Sequence, residues 1–216
     1  MPKIGMEPIR RRELIAAAIE AIHARGSLDI TIRDIAARAG VSQGLAHHYF
    51  GSKDRLIVAS MRYLLAQFSS QVRGGLAPSA KPRERLSAIV SASLGEEQFK
   101  PEVVSAWLVF YVHAQTSADA RQLLSVYTRR LRSNLVHCLK PLVGPRAPFV
   151  AEGIAALIDG IYIRHALGSD AQHFRDGHKL VEDYIDQQLI FAQAGGRIAE
   201  SALAGGGPAI GNRKIS

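Results

Sequence analysis

At 216 residues, 47% hydrophobic and 21% charged, the chain has a globular composition, which excludes wholesale disorder. Its single cysteine, Cys138, excludes an internal disulfide framework and every multi-cysteine zinc module. Lys and Arg outnumber Asp and Glu by 27 to 19, a net charge of +8 spread along the chain, which permits a nucleic-acid partner without demanding one. The opening residues hold no apolar core for a secretory signal, and the apolar stretch Val103–Val112 is too short to span a bilayer. A cytoplasmic protein with no membrane partner is expected.

Taken in chain order, the segments read almost wholly as helix. Apolar residues at helical spacing, Leu14, Ala18 and Ile22 among them, predict a first helix from Glu7 to Arg25, which Gly26 stops. Thr31-Ile32-Arg33-Asp34 is a capping box that opens a short helix ending at Gly40. Ser42 caps a second short helix to Phe50, and Ser52 caps a long one to Arg73. A Gly/Pro-rich break over 74–82 is the expected linker. Helices follow over 83–94, 101–116, 118–139, 148–167 and 174–193, joined by short connections as in a bundle. Residues 194–216 hold six glycines and little to build a core, and are expected to be a disordered tail.

The stretch from Thr31 to Phe50 has what a helix-turn-helix needs. Ala36 is small where the second helix must approach, Gly40 suits the turn, and Val41 plugs the corner. Ile32, Ile35, Ala39 and Ala46 face inward, with Tyr49 and Phe50 closing the end. Gln43, Gly44, Leu45, His47 and His48 are left on the outer face, which a recognition helix presents to the major groove. Gln43 suits adenine, Arg33 guanine or phosphate, and Leu45 a thymine methyl, while His47 and His48 are further donors. Lys53 offers an ammonium at a helix N-terminus to a phosphate.

These residues resemble the TetR family of transcriptional repressors. The resemblance rests on the first helix ending at Gly26, on Thr31–Ala36, Ala39-Gly40-Val41-Ser42 and His48-Tyr49-Phe50, and on Ser52-Lys53-Asp54-Arg55-Leu56. One departure is His47, where many members carry tyrosine, so a tyrosine contact does not carry over. The resemblance implies an all-α fold: a three-helix DNA-binding domain over 1–73, then a bundle over 83–193 that binds an effector and dimerises. It also implies that Thr31, Ser42 and Tyr49 join the DNA-contacting set, that the partners are double-stranded operator DNA and a second copy, and that the chain is no enzyme. Further stretches, including Ala106–Phe110, Arg129–Leu135 and Ala155–Arg164, are similar to choline-responsive members. That likeness implies repression of choline uptake and glycine-betaine synthesis genes, relieved by choline.

Beyond residue 82, Trp107, Phe110 and Tyr111 cluster in a chain with only 6% aromatics, and Tyr162 joins them as a candidate. A quaternary ammonium cannot donate a hydrogen bond, so aromatic faces and a carboxylate must hold it. Asp159, Glu96 and Glu97 are the candidate carboxylates, and core filling is the competing reading for each ring. Val150, Ile154, Leu157, Ile158 and Ile161, with Val181, Tyr184, Ile185, Gln188 and Leu189, form stripes that fit either a dimer interface or a monomer core. His165, His173 and His178 lack tight ligand spacing, and His137-Cys138 neighbours diverge on a helix, so neither a metal nor a thiol nucleophile is expected. No cofactor motif is present. The rivals are a same-fold repressor answering a different molecule, such as a lipophilic drug, and a helical enzyme or carrier.

Overall fold

The computed structural model describes residues 6–74, 80–168 and 172–204. Among them the chain is all helical, with no strand: α1 (Met6–Arg25), α2 (Ile32–Arg38), α3 (Gln43–Phe50), α4 (Lys53–Gly74), α5 (Pro82–Ser93), α6 (Pro101–Thr116), α7 (Ala118–Val143), α8 (Ala147–Ala166) and α9 (Gln172–Ala204). Short 3-10 turns at Glu96–Phe99 and Gly144–Arg146 precede α6 and α8.

Local chemistry sets the early boundaries. Gly26 takes φ +65° and returns its N–H to Ile22 O, ending α1. The Thr31 hydroxyl accepts from Asp34 N (3.1 Å) while the Asp34 carboxylate accepts from Thr31 N (2.8 Å), the reciprocal pair predicted for α2. These bonds favour the ionised carboxyl and hold Asp34 below the ordinary aspartate range. Ser42 Oγ accepts from Leu45 N and opens α3, and Ser52 Oγ accepts from Arg55 N at the start of α4.

Two cores form. Leu14, Ile22, Ile35, Ala36, Ala46 and Leu56 make the head, all but sealed from water. Phe110, Leu86, Leu135, Leu139, Ile154 and Ile185 anchor the larger body. Helix α6 joins the two. Its Val109 packs on the head core, its Ser105 hydroxyl lies 2.9 Å from His23 Nδ1 of α1, and its buried His113 Nε2 lies 3.6 Å from Asp54 of α4. Arg83 of α5 ties the body to α9 through Glu182 (2.6 Å) and Asp186 (2.7 Å).

Two readings are narrowed. Val150, Ile154, Ile158, Val181 and Ile185 are buried within the single chain, so these stripe residues are core. Helix α9 continues to Ala204, so a disordered tail does not begin at 194. Alanines at 192, 194, 199, 202 and 204, the best helix formers, offset the two glycines at 195 and 196, each of which costs about 1 kcal/mol. The remaining stretch, 205–216, and most of the 74–82 linker lie outside the described residues.

Helices α8 and α9 pack antiparallel, with Gly153 against Tyr184 and Gly177 against Ile161. A Cβ on Gly153 would collide with the Tyr184 hydroxyl and lie 2.8 Å from its Cζ. Gly153→Leu must displace that ring and part the pair. We expect a loss of about 1–3 kcal/mol in urea unfolding; an unchanged midpoint would mean that the helices are not in close packing there.

Candidate DNA-reading surface and ligand cavity

The head presents a polar face built on a rigid scaffold. Gly40 at φ +64° makes the turn, Val41 N bonds Ala36 O at 3.0 Å, and Ala46 is fully buried against α2. Thr31, Arg33, Ser42, Gln43, Gly44, His47 and His48 are exposed as expected, while Leu45 and Tyr49 are half-buried. A Cβ on Gly44 would meet no atom within 4 Å, so in the free chain its bareness serves no packing role and leaves room for whatever docks on α3.

Besides Thr31 and Ser42, which cap α2 and α3, Lys53 and His47 also have intramolecular work. Lys53 Nζ donates to Leu28 O at 2.9 Å, clamping the loop before α2 and leaving its two other protons free for a phosphate. His47 Nδ1 lies 3.2 Å from Gly51 O and must donate to it, so a neutral His47 presents Nε2 as an acceptor rather than the expected donor. Arg11, which the motif reading passed over, holds α3 to α1: it donates to Tyr49 O (2.7 Å) and stacks 4.5 Å over Phe50. The pattern gave no hint of it, because its partners lie far along the chain.

The body contains a small aromatic cavity of about 30 Å³. Trp107 and Tyr111 from α6 and Asp159 and Tyr162 from α8, four of the ligand candidates, line it. Tyr127 of α7 and Phe68 of α4 complete the aromatic wall, with Ser93 and Gln98 supplying polar atoms. Trp107 stands at the centre, its ring centroid 5.5 Å from Tyr111 and 5.2 Å from Tyr127. Phe110 is corrected: it does not line the cavity but lies 1% exposed in the core, edge-on to Trp107 at 6.3 Å. One turn of helix carries both rings, but the α6 face that holds Trp107 and Tyr111 toward α7 turns Phe110 inward. Glu96 and Glu97 are likewise not cavity residues. They border a separate open cleft, and Glu97 pairs with Lys100 at 2.6 Å.

Electrostatics leave one negative charge among neutral phenols. Burial pushes the Tyr111, Tyr127 and Tyr162 hydroxyls far above the usual tyrosine range, and the nearby Asp159 charge adds to the first two. Tyr162 donates its proton to Gln98 O at 3.2 Å. Asp159 keeps an exposed outer edge, yet the protein packed around it raises its pKa above 3.8, and Glu152 acts in the same direction. The arrangement can surround a small cation with ring faces and one carboxylate.

A helix-turn-helix head joined to a helical body with an aromatic cavity is the architecture of a small-molecule-controlled transcription regulator. The BetI-type transcriptional repressor C-terminal model matches residues 82–190, and the tetR-family model of bacterial regulatory proteins matches residues 14–59. The HTH-type transcriptional regulator BetI of Brucella anthropi is 55% identical over 191 residues, covering 88% of this chain and 98% of that protein. Its namesake in Agrobacterium fabrum is 53% identical over 190 residues, covering 88% and 92%. Among solved structures, a transcriptional regulator from Pseudomonas aeruginosa PAO1 aligns with a TM-score of 0.75 at 26% identity, over 85% of this chain and 91% of that one. A regulator from Saccharomonospora viridis, solved in complex with choline, aligns at 0.71 and 23% identity over 82% and 95%, and shares the fold. The chain belongs to the TetR family of transcriptional regulators, with a BetI-type C-terminal domain. Its relatives are DNA-binding repressors rather than enzymes, and among the described residues no helix is long and apolar enough to cross a membrane.

Proposed function

We propose that this chain, as a homodimer, represses genes of choline uptake and glycine-betaine synthesis, and that choline in the aromatic cavity releases it from a palindromic operator. The observation that carries this reading is the cavity itself: Trp107, Tyr111, Tyr127 and Tyr162 arranged beside Asp159. The BetI name of the relatives and the choline held by the Saccharomonospora viridis regulator point the same way.

The cavity volume supplies the switch. About 30 Å³ suits a water or two, not a trimethylammonium group. Choline must therefore select a form in which the rings have parted, and its preference for that form is what shifts the population. Phe68 belongs to α4, which begins just after the recognition helix α3, and Trp107 and Tyr111 belong to α6, which touches the head. Parting the rings moves the two helices on which the head is mounted.

Exposed apolar residues on the last two helices support the dimer. Phe149 is 70% exposed on α8 and Leu167 79% just past its end, while Leu180, Ile190 and Phe191 stand out on α9. A second copy would cover them and set two heads about one DNA turn apart, roughly 34–36 Å.

The test is anisotropy of a labelled operator fragment titrated with choline and with its neutral isostere, in which tert-butyl replaces trimethylammonium. Choline alone should release the DNA; no release by choline at saturation, or equal release by both, contradicts the proposal.

Gln43 and Lys53 separate base reading from phosphate binding. Gln43→Ala should relax the preference at one base per half-site by about 1–3 kcal/mol and leave random DNA bound as before. Lys53→Ala should weaken all sequences alike and lower the salt dependence by about one ion per half-site. Binding measured against salt on operator and random duplexes decides it, and equal losses on both for Gln43→Ala would exclude base reading.

A further inference from the structure

Behind the edge-to-face pair of Phe68 and Tyr127 (6.0 Å) lies a second, wider cleft between α4 and α7, of about 760 Å³. That size falls within the range of small-molecule sites, roughly 300–1,000 Å³. Its floor is apolar, with Leu65, Val72 and Leu123 prominent, and three exposed arginines stand around it: Arg62, Arg73 and Arg130. None of the three forms an ion pair among the described residues, and Asp119 is the sole carboxylate in the lining.

This lining inverts the chemistry of the aromatic cavity. Three guanidinium groups against one carboxylate repel a cation, so the cleft is no second choline site. A neutral lipophile would cover the floor but leave the guanidiniums unanswered, and a bare inorganic anion would leave the floor wet. An anionic head on a single alkyl chain satisfies both parts, because guanidinium groups bind carboxylates in charge-assisted, bidentate pairs while the chain buries apolar surface. We propose that the cleft between α4 and α7 binds a free alkyl carboxylate, its chain along the apolar floor and its head on the guanidinium groups at the rim. The inference stands apart from the choline reading and uses different residues, except for the shared wall of Phe68 and Tyr127.

The experiment is calorimetric titration of the full chain with dodecanoate below its micelle concentration, beside dodecanol and dodecyltrimethylammonium. Dodecanoate should bind at least about tenfold more tightly than either chain with a different head. The combined variant Arg62→Gln, Arg73→Gln and Arg130→Gln should lose that advantage and retain its thermal melt, since all three side chains are exposed. Leu123→Asp, which charges the floor, should also weaken dodecanoate. Equal binding of the three head groups, no heat from dodecanoate, or an undiminished affinity in the triple variant each overturns the proposal. So does a triple variant that loses operator DNA while binding dodecanoate as before, which would assign the arginines to phosphates of the duplex. Should the triple variant fail to fold, the head-group series on the wild-type chain decides alone.

Discussion

Trp107→Ala is expected to abolish choline-dependent operator release while leaving operator binding in place. Trp107 is 6% exposed and stands between Tyr111 and Tyr127, so its removal takes away a ring face and the support that orients two others. A desolvated cation–π contact contributes about 2 kcal/mol, or roughly thirtyfold in affinity, before the loss of neighbouring geometry is counted. Truncating a buried tryptophan also costs about 3–5 kcal/mol of stability, so the variant must be assayed well below its melting temperature. Trp107→Phe is the companion: it keeps an aromatic face and should retain release with weakened affinity. Heats of choline binding and operator anisotropy measure both. A Trp107→Ala protein that responds to choline like the wild type would remove that ring from the site.

Asp159→Asn is expected to remove most choline affinity by a different route, since it keeps the shape of the wall and deletes the charge. Without the carboxylate, the buried cation has only ring quadrupoles to replace its hydration. The same group sets a pH dependence. Choline needs Asp159 ionised, and partial burial raises the pKa of that carboxyl above 3.8, so affinity should fall as pH drops through the raised value. Bound choline favours the carboxylate and lowers its pKa, so binding near that pH should release protons, seen as heats that vary with buffer. Stability has the opposite sign. The folded chain holds the Asp159 proton more tightly than the unfolded one, so this contribution is full below about 3.8 and is lost as pH rises through the folded value. Asp159→Asn should therefore melt no lower than wild type at neutral pH in the absence of choline. A choline affinity in Asp159→Asn equal to wild type, with no pH dependence in either protein, would take the carboxylate out of the site.

Elements were legible in the sequence wherever local chemistry decides them. The Thr31–Asp34 capping box, the turn at Gly40 and the caps at Ser42 and Ser52 lie within a few residues of their partners, and the structure places them as read. The polar face of α3 followed from helical periodicity for the same reason. The cavity was half legible. Trp107 and Tyr111 are sequence neighbours on α6, but Tyr127 and Phe68 reach them only through the packing of α7 and α4, which no spacing announces. Both were aromatic residues in an aromatic-poor chain, and that was the available signal. Phe110 and the two glutamates were misplaced because proximity along the chain stood in for direction on the helix. The stripes on α8 and α9 were ambiguous because a four-helix interface and a two-helix core impose the same periodicity. Exposure separates them, and it leaves Phe149, Leu167 and Phe191 outward instead.

Helix α6 carries Trp107 and Tyr111 on the cavity wall and Ser105, Val109 and His113 against the head. Under the proposed function, receptor and actuator are thus parts of one rod, with no relay between them whose stiffness could be adjusted. Anyone re-lining this cavity as a biosensor for a new cation would alter reception and transmission together at Trp107 or Tyr111. Tyr127 and Tyr162 lie on α7 and α8, so changing them re-tunes what is sensed while the rod that reports it stays as it is.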